Sequence, residues 1–194
     1  MTHDPLRLPS PAGDPDLADV RAAQADRAAF GALYRRYLDR VYGYCFYLLG
    51  DHHDAEDATE RTFMAALAAI DRYRDEGSTF RSWLFRIAHN QLVNALRSRG
   101  RRRASSLDGV AEPIADVDPA GVVGIAEESR RLRRALEALP DDRRQVVILR
   151  FVDGLSAREI GAVLGRSEGA VRVLQHRALR QLAGILGQSD RRGA

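Results

Sequence analysis

The segment 155–182, LSAREIGAVLGRSEGAVRVLQHRALRQL, constrains this chain more than any other stretch. Ser156 followed three residues later by Glu159 forms a capping box, which predicts a helix start. Gly165 falls at the end of that helix, where a left-handed residue without a Cβ is favoured, and Ser167 is placed to cap the next helix at once. Counting from Ala157, apolar residues fall at places four, eight, fifteen and eighteen: Ile160, Leu164, Val171 and Leu174. Gly161, at place five, is small enough for close helix approach. These are the steric requirements of a helix-turn-helix, with Arg166 a modest departure where an apolar residue is common. At about 100° per residue the second helix buries Val171, Leu174, Ala178 and Leu182. It then presents Gly169, Arg172, Val173, His176, Arg177 and Arg180 outward, with Ser167 at its start. Arginines bond phosphates or guanine edges, His176 suits either, Gly169 admits a close backbone, and Val173 suits a thymine methyl. The alternative is an ordinary helical hairpin with an arginine-rich outer face. Caps, turn, small residue and basic face agree on DNA.

Upstream, helical spacing dominates. Phe30, Leu33, Tyr34, Tyr37, Leu38, Val41, Cys45 and Leu48 recur at three- and four-residue steps until Gly50. A second helix is expected from about Asp54, with Asp54, Glu56 and Asp57 favouring its positive end. Its inward stripe is Ala55, Ala58 or Thr59, Thr62, Phe63, Ala66, Leu67 and Ile70. The polar stretch 72–79 reads as a loop. A third helix follows with Phe80, Trp83, Leu84, Ile87, Ala88, Leu92, Ala95 and Leu96 inward. Its other face carries Arg86, His89, Asn90, Val93, Asn94 and Arg97, a pairing of asparagines and arginines suited to base edges and phosphates together. Helicity returns at Arg130, stops at Pro140, and resumes over about 142–152. No strand-like alternation persists, so the fold class expected is all-α.

The formal net charge of +3 hides segregation. Residues 1–80 hold 9 arginines and 14 acids, giving −5, and residues 81–103 hold 7 arginines and no acid, giving +7. Residues 104–129 hold 6 acids and no arginine, giving −6, and residues 130–194 hold 14 arginines and 7 acids, giving +7. Two basic surfaces flanking an acidic connector suit an extended polyanion touched at two places. Every basic residue is an arginine, which composition bias explains and which makes each cationic contact a guanidinium.

The organisation expected is a disordered leader over 1–22, a helical domain over 23–103, a flexible acidic linker over 104–129, a second helical domain over 130–187 and a tail over 188–194. The leader lacks a signal peptide's regions, no apolar run suffices for a membrane span, and no fused domain is expected beyond Arg192. The single Cys45 excludes an internal disulfide and a cysteine zinc cluster, which fits a reducing cytoplasm. His52, His53, Asp54, Glu56 and Asp57 invite a metal reading. With both histidines expected in a turn before the helix and no second ligand cluster, an acidic helix start explains them more simply. No phosphate-cradling loop, nucleophile elbow or ligand set is present, so neither enzyme activity nor a metal or other cofactor is expected.

FGALYRRYLDRVYGYC, DAEDATERTFMAALAAI and FRSWLFRIAHNQLVNALR, in that order and spacing, resemble region 2 of bacterial RNA polymerase sigma factors of the extracytoplasmic-function (ECF) type. LRRALEALPDDRRQVVILRFVDGLSAREIGAVLG and the helix after it resemble region 4. The resemblance implies a factor that binds core polymerase and directs promoter-specific initiation, with promoter DNA as the second partner and an anti-sigma factor as a possible third. It implies that Asp57, Glu60 and Arg61 dock on the clamp helices of the largest subunit, although the family usually has Gln-Glu or Gln-Asp where Glu60-Arg61 stands here. It implies that Arg86, His89, Asn90, Asn94 and Arg97 serve the −10 element, with Phe80 and Trp83 bracing the 72–79 loop that extrudes a base. The −35 element would fall to Ser167, Gly169, Arg172, Val173, His176, Arg177 and Arg180. The helices around 139–151 would dock on the flap of the second-largest subunit. The acidic linker would thread polymerase's basic channel, its carboxylates mimicking nucleic acid. The competing readings are a stand-alone helix-turn-helix regulator that does not bind polymerase and a small metal-dependent enzyme.

Overall fold

In the computed structural model, residues 14–75, 78–105 and 132–192 are described, and every regular element among them is a helix. The linker over 106–131, including Asp108, Glu112, Asp116 and Asp118, lies outside the described residues, as do Glu76 and Gly77. Helix α1 spans Leu17–Ala25, α2 Phe30–Leu49, α3 His52–Ala69 and α4 Phe80–Ser105. The C-terminal half holds α5 over 132–137, α6 over Asp141–Val147 with a wide turn over Ile148–Val152, α7 over Ala157–Leu164 and α8 over Glu168–Arg192.

The leader ends earlier than expected. Residues from Leu17 form α1, whose Val20 and Ala23 are buried against the rest of the domain. Two aspartates hold this segment down, and neither belongs to an apolar pattern. The carboxylate of Asp16, only 2% exposed, accepts hydrogen bonds from the Tyr37 hydroxyl and the Arg36 guanidinium. Asp14 accepts from the Tyr73 hydroxyl at 3.0 Å and from the backbone N–H of Phe80, at the start of α4. Proline and aspartate content predicted disorder; long-range hydrogen bonds produce order instead. At the other end α8 continues to Arg192, past the expected boundary at 187.

Helix α3 also begins earlier than read. Asp51 caps it by accepting from the Asp54 N–H at 2.9 Å, so His52 and His53 occupy its first turn rather than a preceding loop. His52 stacks on Phe46 with ring centroids 4.4 Å apart, and its Nδ1 meets the Tyr42 hydroxyl. Among the described residues no group of three or more His, Cys, Asp or Glu is arranged to hold a metal ion.

The inward stripes of α2 to α4 are largely as expected, with two exceptions at their edges: Tyr34 is 41% exposed and Leu96 37%. The larger difference is on the other side. Tyr44 and Phe85, absent from both predicted stripes, are fully buried and meet edge to face at 5.6 Å. They belong to one continuous core that runs from Leu33, Val41 and Leu84 in the N-terminal half to Ile148, Leu149, Leu155, Ile160 and Val171 in the C-terminal half. Helix α7 lies along α4, and the wide turn over Ile148–Val152 lies against α2. A second, smaller core of Ala135, Leu136, Leu139, Val147, Ala178 and Leu182 belongs to the C-terminal half, with Tyr47 of α2 packed on it. The two helical domains are therefore packed together.

Candidate nucleic-acid interface

The helix-turn-helix is built by the devices its sequence announced. Ser156 Oγ accepts from the Glu159 N–H at 3.2 Å and the Glu159 carboxylate accepts from the Ser156 N–H at 2.8 Å, completing the capping box. Gly165 has a φ of 64°, the left-handed conformation that closes α7. At Gly161 a Cβ would lie 2.6 Å from the Arg166 carbonyl oxygen, so only glycine admits the turn at this distance. Ser167 Oγ accepts from the Ala170 N–H at 3.2 Å and starts α8. Val171, Leu174, Ala178 and Leu182 of α8 are buried.

Gly169, Arg172, Val173, His176, Arg177 and Arg180 all lie on the exposed face of α8, with Val173 half-exposed despite its apolar side chain. Arg172 reaches back one turn to Glu168, Nη2 to Oε1 at 2.6 Å. The pair is exposed, so solvent screens it and the guanidinium is free to exchange partners.

The predicted face of α4 divides. Arg86, Asn90, Asn94 and Arg97 are exposed, but His89 is half-buried with Nδ1 3.4 Å from the Tyr44 hydroxyl, and desolvation lowers its pKa. Asn94 looks toward α3. With Gln91, Ala95 and Ser98 it lines a groove whose other wall is Asp54, Asp57, Ala58 and Arg61. Asn94 of the expected −10 set and Asp57 and Arg61 of the expected docking set thus face one cleft, while Arg86, His89, Asn90, Arg97 and Glu60 do not line it. Arg61 Nη2 donates to Asp57 Oδ2 at 3.0 Å, so the unusual cation here neutralises its own neighbour, while Glu60 remains exposed. Met64, 63% exposed one turn beyond Glu60, extends this surface with an apolar group that charge and motif reading missed.

Around the 72–79 loop, Tyr73 packs edge to face on Phe80 at 5.9 Å and on Trp83 at 5.4 Å. The Tyr73 hydroxyl donates to the Ser78 carbonyl at 3.1 Å. Phe80 and Trp83 thereby hold both ends of the loop. Gln24 ties α1 to the same place, donating to the carbonyls of Ile70 and Tyr73 at 3.0 and 3.2 Å.

Comparison with known proteins decides what these two surfaces belong to. Residues 33–102 match Sigma-70 region 2 and residues 129–182 match Sigma-70, region 4. The chain is 36% identical to the ECF RNA polymerase sigma factor SigE of Mycolicibacterium smegmatis, over 92% of this chain and 70% of that one. It is 37% identical to the ECF RNA polymerase sigma factor BldN of Streptomyces coelicolor, over 93% and 71%. The chain belongs to the ECF sigma factors.

Two solved structures share the fold of this sigma factor. CnrH in complex with the cytosolic domain of CnrY matches at a TM-score of 0.69 and 28% identity, covering 90% of this chain and 99% of that one. RpoE in complex with the anti-sigma factor NepR from Bartonella quintana matches at 0.65 and 26%, covering 81% and 96%. Membership carries the family's activity: a sigma factor joins core RNA polymerase and directs it to promoter DNA. A stand-alone regulator is accordingly not favoured. Sigma factors are initiation factors without enzymatic activity of their own. Among the described residues no helix is long and apolar enough to cross a membrane.

Proposed function

We propose that this sigma factor reads the −35 element with α8 and the −10 element with α4, and docks on polymerase through α3 and the helices around 139–151. The domains are 23–103 and 130–187 as read from the sequence, with α1 added to the first and the second carried to the end of α8 at Arg192. The observation that carries this reading is that two separate exposed helix faces, Arg86, Asn90 and Arg97 on one and Arg172, His176, Arg177 and Arg180 on the other, carry donors suited to bases and phosphates. Asp57, Glu60 and Arg61, with Met64 beside them, form the clamp-helix contact. The chain acts in the cytoplasm without catalysis of its own; the catalytic centre belongs to core polymerase. The complex of RpoE with the anti-sigma factor NepR supports an anti-sigma partner here.

Run-off transcription with core polymerase tests the assignments. Arg172→Ala should reduce −35-dependent initiation about tenfold, within the ~1–3 kcal/mol of a specific base contact. Asn90→Ala should slow promoter opening, read by permanganate reactivity of the −10 thymines, while leaving −35 binding unchanged. Wild-type output from both variants would remove these residues from the interface.

A further inference from the structure

Residues 14–25 precede residue 33, where the match to Sigma-70 region 2 begins, yet two of their side chains reach the ends of the 72–79 loop. Asp14 divides its carboxylate between two tasks. Oδ1 accepts from the Asp16 N–H at 3.0 Å and shapes its own turn. Oδ2 accepts from the Tyr73 hydroxyl, at the beginning of the loop, and from the Phe80 N–H, just beyond its end. One oxygen therefore ties the two ends of the loop to each other. The Phe80 N–H is among the donors that a helix leaves unsatisfied in its first turn. Thr79 supplies a local cap, its Oγ1 accepting from the Ser82 N–H at 3.3 Å, while Asp14 supplies a second from far away in sequence. The positive end of the α4 dipole also favours a carboxylate at that place.

The beginning of the loop is fixed twice. Tyr73 is 4% exposed, and burial, followed by the bond to Asp14, pushes its phenol above the ordinary range, so it stays a donor. Gln24 Nε2 donates to the carbonyls of Ile70 and Tyr73, which bracket the turn leading out of α3. Helix α1 is in turn fixed to α2. Asp16 accepts from Tyr37 and Arg36, Arg36 Nη2 also reaches Asp19 Oδ2 at 2.6 Å, and Val20 and Ala23 are buried. The position of α2 is thus passed through α1 to the ends of the loop and to the first turn of α4.

Among the described residues of the loop only Tyr73 is buried, so apolar packing holds it at a single point and hydrogen bonds from residues 14–25 add others. Ordering a free loop costs backbone entropy residue by residue, and a loop ordered on folding does not incur that cost again when it binds. A base extruded from the −10 element is expected at this loop, and unstacking already opposes that step. A loop that still had to be ordered then would slow the step further.

We propose that Asp14 and Gln24 are positioning residues for promoter opening, holding both ends of the 72–79 loop and the first turn of α4 in place before the −10 strand arrives. This rests on the −10 reading above and adds to it a segment that acts through the loop.

Two measurements on the full chain test this. The first needs no polymerase. Trp83, the single tryptophan of the chain, packs on Tyr73 at 5.4 Å and on Phe80 at 5.5 Å, so its emission reports the base of the loop. Asp14→Ala should shift that emission to longer wavelength and Gln24→Ala should do so less, both with wild-type helix content by circular dichroism. Asp14→Asn, whose amide oxygen can serve the two loop donors, should stay near the wild-type spectrum. The second measurement follows strand opening by permanganate reactivity at a promoter mapped with the wild-type holoenzyme. Asp14→Ala should slow opening about tenfold, the factor expected for loss of a hydrogen bond to a charged acceptor, with affinity for core polymerase unchanged. Asp14→Asn should restore most of the rate. Tyr73→Phe removes one donor to Asp14 and should slow opening by less; adding it to Asp14→Ala should change little further. Arg27→Ala breaks an exposed pair with Asp71 and should open like wild type.

Wild-type opening by both Asp14→Ala and Gln24→Ala, or a loss that Asp14→Asn does not rescue, would overturn the proposal. So would a loss of core binding equal to the loss of opening, the mark of general unfolding. Opening impaired by Asn90→Ala but not by Asp14→Ala removes this inference alone, whereas wild-type opening by Asn90→Ala as well takes the −10 reading with it.

Discussion

The two domains of this sigma factor are stabilised by different kinds of interaction. In the C-terminal one, residues within a few positions of each other fix the geometry: Ser156 with Glu159, Gly161 with Arg166, Gly165 in its left-handed turn, Ser167 with Ala170. Its own core is small, six buried residues among the described ones, with Tyr47 leaning on it. In the N-terminal domain the decisive contacts cross long stretches of sequence: Asp16 to Tyr37, Asp14 to Tyr73 and Phe80, Gln24 to Ile70 and Tyr73. Local devices define the helix-turn-helix, and long-range ones define the N-terminal domain.

The sharpest test of that contrast removes the ring at the seam. Phe85→Ala takes out a fully buried aromatic and should cost about 3–5 kcal/mol, as for other large-to-small core changes. Calorimetry should show the N-terminal domain unfolding at lower temperature, with the C-terminal transition separating from it. A single cooperative transition, shifted as a whole, would mean the two domains are one folding unit.

A smaller effect is expected at Asp153. Burial pushes its carboxyl up to about 7 from an ordinary value of 3.8, with Arg40 and Arg81 opposing the rise and the hydroxyl of Tyr44 and thiol of Cys45 close by. A raised carboxyl means that the packed form takes up a proton. Its contribution is fully present below about pH 4, declines as pH rises, and is lost above about 7. Asp153→Asn cannot ionise, so stability measured by urea unfolding should gain relative to wild type by one to a few kcal/mol at pH 8 and by little at pH 4. An equal gain at both pH values would show that the carboxyl stays ionised in the packed form.

The smallest effect belongs to a local device. Ser156→Ala removes the cap of α7 and should cost about 1 kcal/mol. Hydrogen exchange should quicken in α7 and leave α2 and α3 as they were. Protection lost throughout α2 and α3 would erase the distinction between the domains.

Legibility in the sequence followed the same division. The helix-turn-helix could be read completely because capping, left-handed turns and helical faces depend on neighbours within about eight residues, and its expected face is the exposed one. The inward stripes of α2, α3 and α4 were legible from apolar spacing. The anchoring of α1 was not, because a buried aspartate carries no periodic signal and looks like any acid in a proline-rich stretch. Nor was the shared core: Tyr44 and Phe85 sit beside the main stripes and read as edges until a second domain covers them. A second apolar face on both α2 and α4 was the available signal.

By itself the sequence determined the helices, the recognition motif, the charge pattern and, through motif order and spacing, the family, since all of these are written in local residue types. Only the tertiary structure decided that α4 packs on α7 as well as on α2 and α3, that Arg81 and Thr79 hold Glu159, and that Asp153 is buried without a hydrogen-bond partner. Those facts arise where two surfaces far apart in sequence meet, and desolvation at such a seam depends on what covers it.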